Sequence, residues 1–67
     1  MKLDTYLASH QLTYRAFAEM IGVGHARTVE RYAKGQRIPD GETMPKIAEV
    51  TGGLVTPNDF FDIQAAA

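Results

Sequence analysis

Residues 12–35 read LTYRAFAEMIGVGHARTVERYAKG, and how this stretch folds decides the rest. Thr13 carries a hydroxyl that can cap the free N–H groups of a new helix, and it is followed by Phe17, Met20 and Ile21 at i, i+3, i+4 spacing. Ala18 is small enough to let a second helix approach closely. Gly22-Val23-Gly24 then interrupts the pattern. One glycine can take the positive φ that ends a helix, Val23 can turn back into the core, and the second glycine eases re-entry. The spacing predicts two short helices joined by a tight turn at a steep angle.

The second helix is expected from about Ala26 to Lys34. An advance of roughly 100° per residue sets Ala26, Val29, Tyr32 and Ala33 on one side and Arg27, Arg31 and Lys34 together on the other. Arg27 and Arg31 form an i, i+4 pair of like charges, which costs an isolated helix about 0.2–0.5 kcal/mol. Glu30 on the flank offsets part of that repulsion. Such a face makes sense against a polyanion, so the stretch reads as a helix-turn-helix that lays its second helix into double-stranded DNA. Base-edge candidates are Arg27, Thr28, Arg31, Glu30 and His25. Arg27, in the first turn, suits the O6 and N7 of guanine, Thr28 suits a thymine methyl, and Arg31 suits a second base or a phosphate. His25, at the helix start, can donate to a phosphate or serve only the turn. Tyr14 and Arg15 stand where free backbone N–H groups favour an anion. With Lys34, Gln36 and Arg37 in the exit loop, they are the phosphate candidates. Lys34 and Arg37 are expected only to position the DNA backbone.

Leu12-Thr13, Phe17-Ala18, Ile21-Gly22-Val23, Val29, Tyr32 with Gly35, and Pro39 together resemble the helix-turn-helix of the lambda repressor and Cro (XRE-like) family. The downstream runs Met44-Pro45-Lys46-Ile47 and Val50-Thr51-Gly52-Gly53-Leu54-Val55-Thr56 are similar to short prophage Cro-like regulators, including the YdaS-like group. The segment between Val23 and Thr28 is one residue longer than the common family spacing. The resemblance implies an all-α fold, a compact lambda repressor-like bundle of about five short helices, and a small sequence-specific transcriptional regulator of repressor type. It also implies that Tyr14 takes a position where the family often has a glutamine touching the DNA backbone.

Outward from this centre, 67 residues allow a single domain, 1–67, with the helix-turn-helix at about 13–34. So short a chain buries only about 60% of its extended surface and gains from a partner. The net charge of −1 hides segregation: between Gly24 and Arg37 four bases face the single acid Glu30, while Ile47 to Ala67 holds Glu49, Asp59 and Asp62 and no base. That places a local basic patch on the proposed reading helix and limits indiscriminate binding. Lys2 to His10 is expected to form the first helix, with Leu3, Tyr6 and Leu7 as its core stripe and His10 at its end, on the surface or capping. Gly35 is the expected left-handed stop after the reading helix. Because Pro45 lacks an N–H, Thr43 is expected to cap the next helix, through about Val50, after an irregular first turn. Met44, Ile47, Ala48 and Val50 are its core face. Thr56-Pro57-Asn58-Asp59 predicts a short last helix, about 57–62, with a hydroxyl cap and proline in first place. Leu54, Val55, Phe60, Phe61 and Ile63 are more apolar surface than so small a body needs, so they are expected to meet a second subunit as a homodimer.

Several classes are disfavoured. Without cysteine there are no disulfides, thiolate nucleophiles or cysteine zinc sites, which suits a reducing cytoplasm. No run approaches the roughly 20 apolar residues that span a bilayer, and the first residues lack a signal peptide. No nucleophile–base pair, metal-ligand spacing or phosphate loop is present, so neither an enzyme nor a cofactor is expected. The expectation is a cytoplasmic, nucleoid-associated repressor acting as a homodimer on an inverted repeat. The alternative is an antitoxin-like or anti-regulator module that binds a protein partner and touches DNA only secondarily.

Overall fold

Five helices follow one another in the computed structural model, which describes residues 1–61: α1 (Leu3–Ser9), α2 (Tyr14–Ile21), α3 (Ala26–Ala33), α4 (Thr43–Val50) and α5 (Asn58–Phe61). Among the described residues there is no strand. The architecture is the all-α one that the resemblance implies. α1 buries Leu3, Tyr6 and Leu7, the i, i+3, i+4 stripe read from the sequence, and ends at His10, which is exposed. The His10 ring lies against Tyr6 with centroids 4.2 Å apart.

α2 begins where a hydroxyl allows it, with Thr13 Oγ1 accepting the Ala16 N–H at 3.0 Å. Phe17, Ala18 and Ile21 are buried; Met20 is 47% exposed and leaves the stripe that sequence spacing assigned to it. The reason is angular: Ala18 pulls the buried arc to the far side of Phe17, so Met20, about 60° the other way, falls on the rim. Gly22 adopts φ 75°, its N–H donates to Glu19 O at 3.3 Å, and the Val23 N–H donates to Ala18 O at 2.8 Å. That pair of bonds satisfies the Ala18 and Glu19 carbonyls in the last turn of α2 and turns Val23 back against the core, where it is half-buried. Gly35, with φ 74°, repeats the device after α3, with Gln36 N–H donating to Arg31 O at 2.9 Å.

α4 starts differently from the expectation. Asp40, not Thr43, closes its first turn: Asp40 Oδ1 accepts from Thr43 N–H at 2.8 Å and Glu42 N–H at 3.1 Å, and the Asp40 carbonyl accepts from Met44 N–H at 2.9 Å. Pro45 is tolerated because the carbonyl its missing N–H would have served is that of exposed Gly41, which water can satisfy. Of the expected core face, Ile47 is fully buried and Met44, Ala48 and Val50 partly so. At the far end Thr51 is buried, its hydroxyl donating to Ile47 O at 2.8 Å and accepting from Val55 N–H at 3.1 Å.

The last helix begins at Asn58 rather than Pro57, and its cap runs in the opposite sense to the one expected. Thr56 is a donor: its N–H and its hydroxyl both reach Asp59 Oδ2, at 2.8 and 3.0 Å, the carboxylate half of a capping box. The same oxygen accepts from the Met1 α-amino group at 3.1 Å, which also donates to Leu54 O at 2.9 Å.

The core gathers around Phe17, Ile21, Val29, Ile47 and Val55, all fully buried, with Leu3, Tyr6, Leu7, Tyr32 and Phe60 closing over them. This corrects the expected subunit interface. Val55 is completely buried and Phe60 nearly so within one chain, Phe60 meeting Tyr32 edge to face at 6.4 Å, so neither side chain is available to a second subunit. Phe60 adds to the cover that α2 and α1 already give α3, so the monomer core uses both side chains. Leu54, 48% exposed, remains outside. Phe61 contributes backbone to α5, and Ile63 lies outside the described residues.

Candidate nucleic-acid interface

α2 packs chiefly on α3, and α3 buries Val29 and Tyr32 in the core. With a period of 3.6, burying those two turns Arg27, Arg31 and Lys34 away from the protein, and all three are exposed. Arg27, Glu30, Arg31, Lys34 and Gln36 line one shallow open depression along the outer face. Arg27, Arg31 and Lys34, which helix periodicity sets on one face, thus share the depression with Glu30 from the flank and Gln36 from the exit loop.

The charges on this face are not equivalent. Lys34 Nζ donates to Glu30 Oε2 at 2.8 Å, one helical turn apart. That hydrogen bond, then the Lys34 charge, hold the Glu30 carboxyl below its ordinary value, and Arg27 and Arg31 add to the effect. In return Glu30 raises the Lys34 ammonium. Tyr14 and Asp4 lie close enough to Lys34 to add smaller contributions in the same direction. Asp4 is a neighbour that linear reading missed, because it stands on α1 and meets α3 only through the packing of those helices. Arg27 and Arg31 have no comparable short-range carboxylate among the ion pairs of the described residues.

The edge of the face is formed by the start of α2. Arg15 is exposed, its Nε 3.9 Å from Glu19 Oε2, and it shares a second crevice with Val23, Gly24 and His25. His25 stands at the N-cap of α3, exposed, with an extended backbone; its side chain makes no capping bond, and its carbonyl accepts from Thr28 N–H at 3.1 Å. The long turn thus ends before Ala26, leaving His25 at the mouth and Arg27 in the first turn. Thr28 is half-buried beside Val29. Tyr14 is half-buried against the core, lining a groove with Asp4, Leu7 and Leu12. Gln36 and Arg37 are exposed in the exit loop, Arg37 near enough to help lower Asp40.

The arrangement offers outward guanidinium groups on one helix, flanked by the first turn of another. Among the described residues no group of three or more His, Asp or Glu side chains that could hold a metal ion occurs. Nor, among them, is any helix long and apolar enough to cross a membrane. A family model described as helix-turn-helix matches residues 5–57, a span that runs from within α1 through α4 and takes in the whole of the face just described. Neither a curated protein nor a solved structure matches the chain.

Proposed function

The chain belongs to the helix-turn-helix family of XRE and lambda Cro-like DNA-binding transcription regulators, and from that premise we propose that it represses transcription by holding an inverted-repeat operator as a homodimer. The observation that carries this reading is the division of α3: Val29 and Tyr32 are committed to the core while Arg27 and Arg31 stand free on the opposite side. In such a helix the N-terminal part reaches base edges. Arg27 pairs bidentately with guanine O6 and N7, worth about 1–3 kcal/mol of discrimination. Thr28 meets a thymine methyl, and Arg31 a second base or a phosphate. His25, Tyr14 and Arg15 meet phosphates where the α2 and α3 starts converge, and Gln36 and Arg37 hold the strand beyond the exit loop. Two copies set their reading helices in successive major grooves about 34 Å apart. Leu54, exposed and with its carbonyl on the Met1 α-amino group, is a contact residue, joined by Phe61 of α5 and by Ile63, which lies outside the described residues.

The test is a mobility-shift series over a range of salt on duplex DNA from beside the protein's own coding sequence, with native mass measured on the complex. Site selection then compares two variants. Arg27→Ala flattens preference at one base pair, whereas Arg37→Ala weakens all sequences alike and makes the salt slope shallower by about one unit. Unchanged preference at every position in Arg27→Ala removes the base-reading assignment. A strictly one-to-one complex on an asymmetric site removes the homodimer.

A further inference from the structure

Glu30 is the single acid between Gly24 and Arg37, set in a depression otherwise lined by Arg27, Arg31, Lys34 and Gln36. It is not folded away under the helix: its side chain is 38% exposed, and its Oε2 receives Lys34 Nζ at 2.8 Å on the surface itself. A duplex approaching Arg27 and Arg31 therefore meets this carboxylate as well. Its cationic neighbours favour the ionised form, and an ionised carboxylate has no proton to give. Towards DNA it can only accept.

That restriction selects among partners. Phosphate oxygens and the O6 and N7 of guanine are acceptors and repel it. In the major groove the donors are the exocyclic amino groups, N4 of cytosine and N6 of adenine. Adenine presents its N7 acceptor beside N6, whereas cytosine N4 has no acceptor of its own base beside it at the groove edge, so cytosine is the better match. Lys34 is coupled to the same choice. While Glu30 holds it, its charge is cancelled against phosphate; once a base amino group takes the carboxylate, Lys34 is released to the DNA backbone.

Building on the reading of α3 as the DNA-facing helix, we propose that Glu30 is a further specificity-determining residue of this face, beside Arg27: its ion pair with Lys34 suppresses sequence-independent binding, and exchange of that pair for a cytosine amino group marks the true site.

The experiment compares wild type, Glu30→Gln, Glu30→Ala and Glu30→Ala/Lys34→Ala on random duplex and on a site obtained by selection, across a salt series, with helicity followed by circular dichroism. The pair is exposed and within one helix, so the variants keep the fold, and Glu30→Gln preserves helix propensity. Both single variants are expected to bind random duplex several-fold tighter, with a salt slope steeper by about 0.9 unit as Lys34 gains a phosphate. Removing Lys34 in addition returns the slope to the wild-type value. In site selection Glu30→Ala loses a cytosine preference at one position, and Glu30→Gln shifts that position towards adenine, which Gln matches through N6 and N7. Wild-type slope on random duplex, or wild-type preference at every position, in a helical Glu30→Ala protein overturns the inference while leaving duplex binding intact. A wild-type protein that binds no duplex overturns the DNA reading itself, and this inference with it.

Discussion

Between Thr13 and Gln36 the helix ends are closed by a hydroxyl and by two left-handed glycines, whereas from Asp40 onward the helix starts are closed by carboxylates. The first region also turns its cations outward, while the second supplies buried Val55 and Phe60, the Phe60 ring meeting Tyr32 on the inner side of α3. One half is thus a presenting surface held by uncharged devices. The other is a buttress whose helix starts are held by titratable ones, while α4 ends, as α2 does, on a left-handed glycine, Gly52, beside the Thr51 hydroxyl. A small domain can vary the two separately: side chains on the outer face of α3 change without touching the core, and those of the buttress change how firmly α3 is held.

The largest expected effect tests the buttress. Phe60 is buried, and its ring meets Tyr32 on the inner side of α3. Phe60→Ala is expected to cost about 3–5 kcal/mol, a large part of the roughly 5–15 kcal/mol that holds a folded domain. Its thermal melt should move down sharply, with DNA binding lost along with helicity. A Phe60→Ala protein that melts like wild type but binds DNA with less cooperativity would instead place Phe60 in a subunit contact and dissolve the contrast drawn between the two regions.

That contrast also accounts for how far the sequence could be read. Thr13, Gly22 and Gly35 each act alone and within a few residues, so a linear scan finds them. The stripe of Leu3, Tyr6, Leu7, Phe17 and Ile21 follows from the 3.6-residue period for the same reason. The outward grouping of Arg27, Arg31 and Lys34 is likewise a property of one helix. In the second region several residues compete for one role. Asp40 and Thr43 can both cap α4, and Thr56 and Asp59 can each be the donor or acceptor partner. The outcome depends on which geometry leaves the prolines harmless. Burial of Val55 and Phe60 depends on the space left behind α3 by other helices, which no local window contains. In the sequence Glu30 reads as the offset to the Arg27–Arg31 repulsion and not as the i, i+4 partner of Lys34 that it is, and the approach of Asp4 to Lys34 lies outside any local window because it arises from the packing of α1 on α3.

A smaller effect separates the two threonines that tie helix ends. Thr51 is buried, and its hydroxyl both donates to Ile47 O and accepts from Val55 N–H. Thr51→Val keeps the shape and leaves the Val55 N–H inside without a partner, an expected loss of about 1–3 kcal/mol. Thr13 is exposed, and Thr13→Ala lets water replace the bond to Ala16, so its cost should lie nearer the typical ~1 kcal/mol of a lost cap. Urea denaturation of both variants, with Thr51→Ser restoring most of the loss, ranks them. If Thr13→Ala proves the more damaging, the uncharged caps of the first region carry more of the fold than the buttress does.

The smallest effect is the one that most directly divides the regions, because it needs only acid. Asp40 is held below its ordinary value of 3.8 first by the Thr43 N–H and hydroxyl and then by the Glu42 N–H and Arg37. Asp59 is held below the same value first by the Thr56 N–H, then by the Met1 α-amino group and the Thr56 hydroxyl. A carboxyl lowered on folding contributes stability that is complete above its unfolded pKa and is lost as pH falls through the folded one, because the unfolded chain then binds the proton more readily. Both contributions therefore fade together below the ordinary carboxylate range. Thr13 has no proton to gain in that range. Glu30 does, but its pair with Lys34 is exposed and confined to one helix, so protonating it costs the fold little. In an amide NMR titration downwards from neutral pH, the Thr43 and Thr56 N–H signals should shift and lose exchange protection while that of Ala16 stays in place. Asp40→Asn should abolish the Thr43 transition and leave that of Thr56. An Ala16 amide that moves with the other two, at a pH where the core is still folded, would mean that the two regions open as one unit and that the carboxylate caps confer no separate acid sensitivity on the buttress.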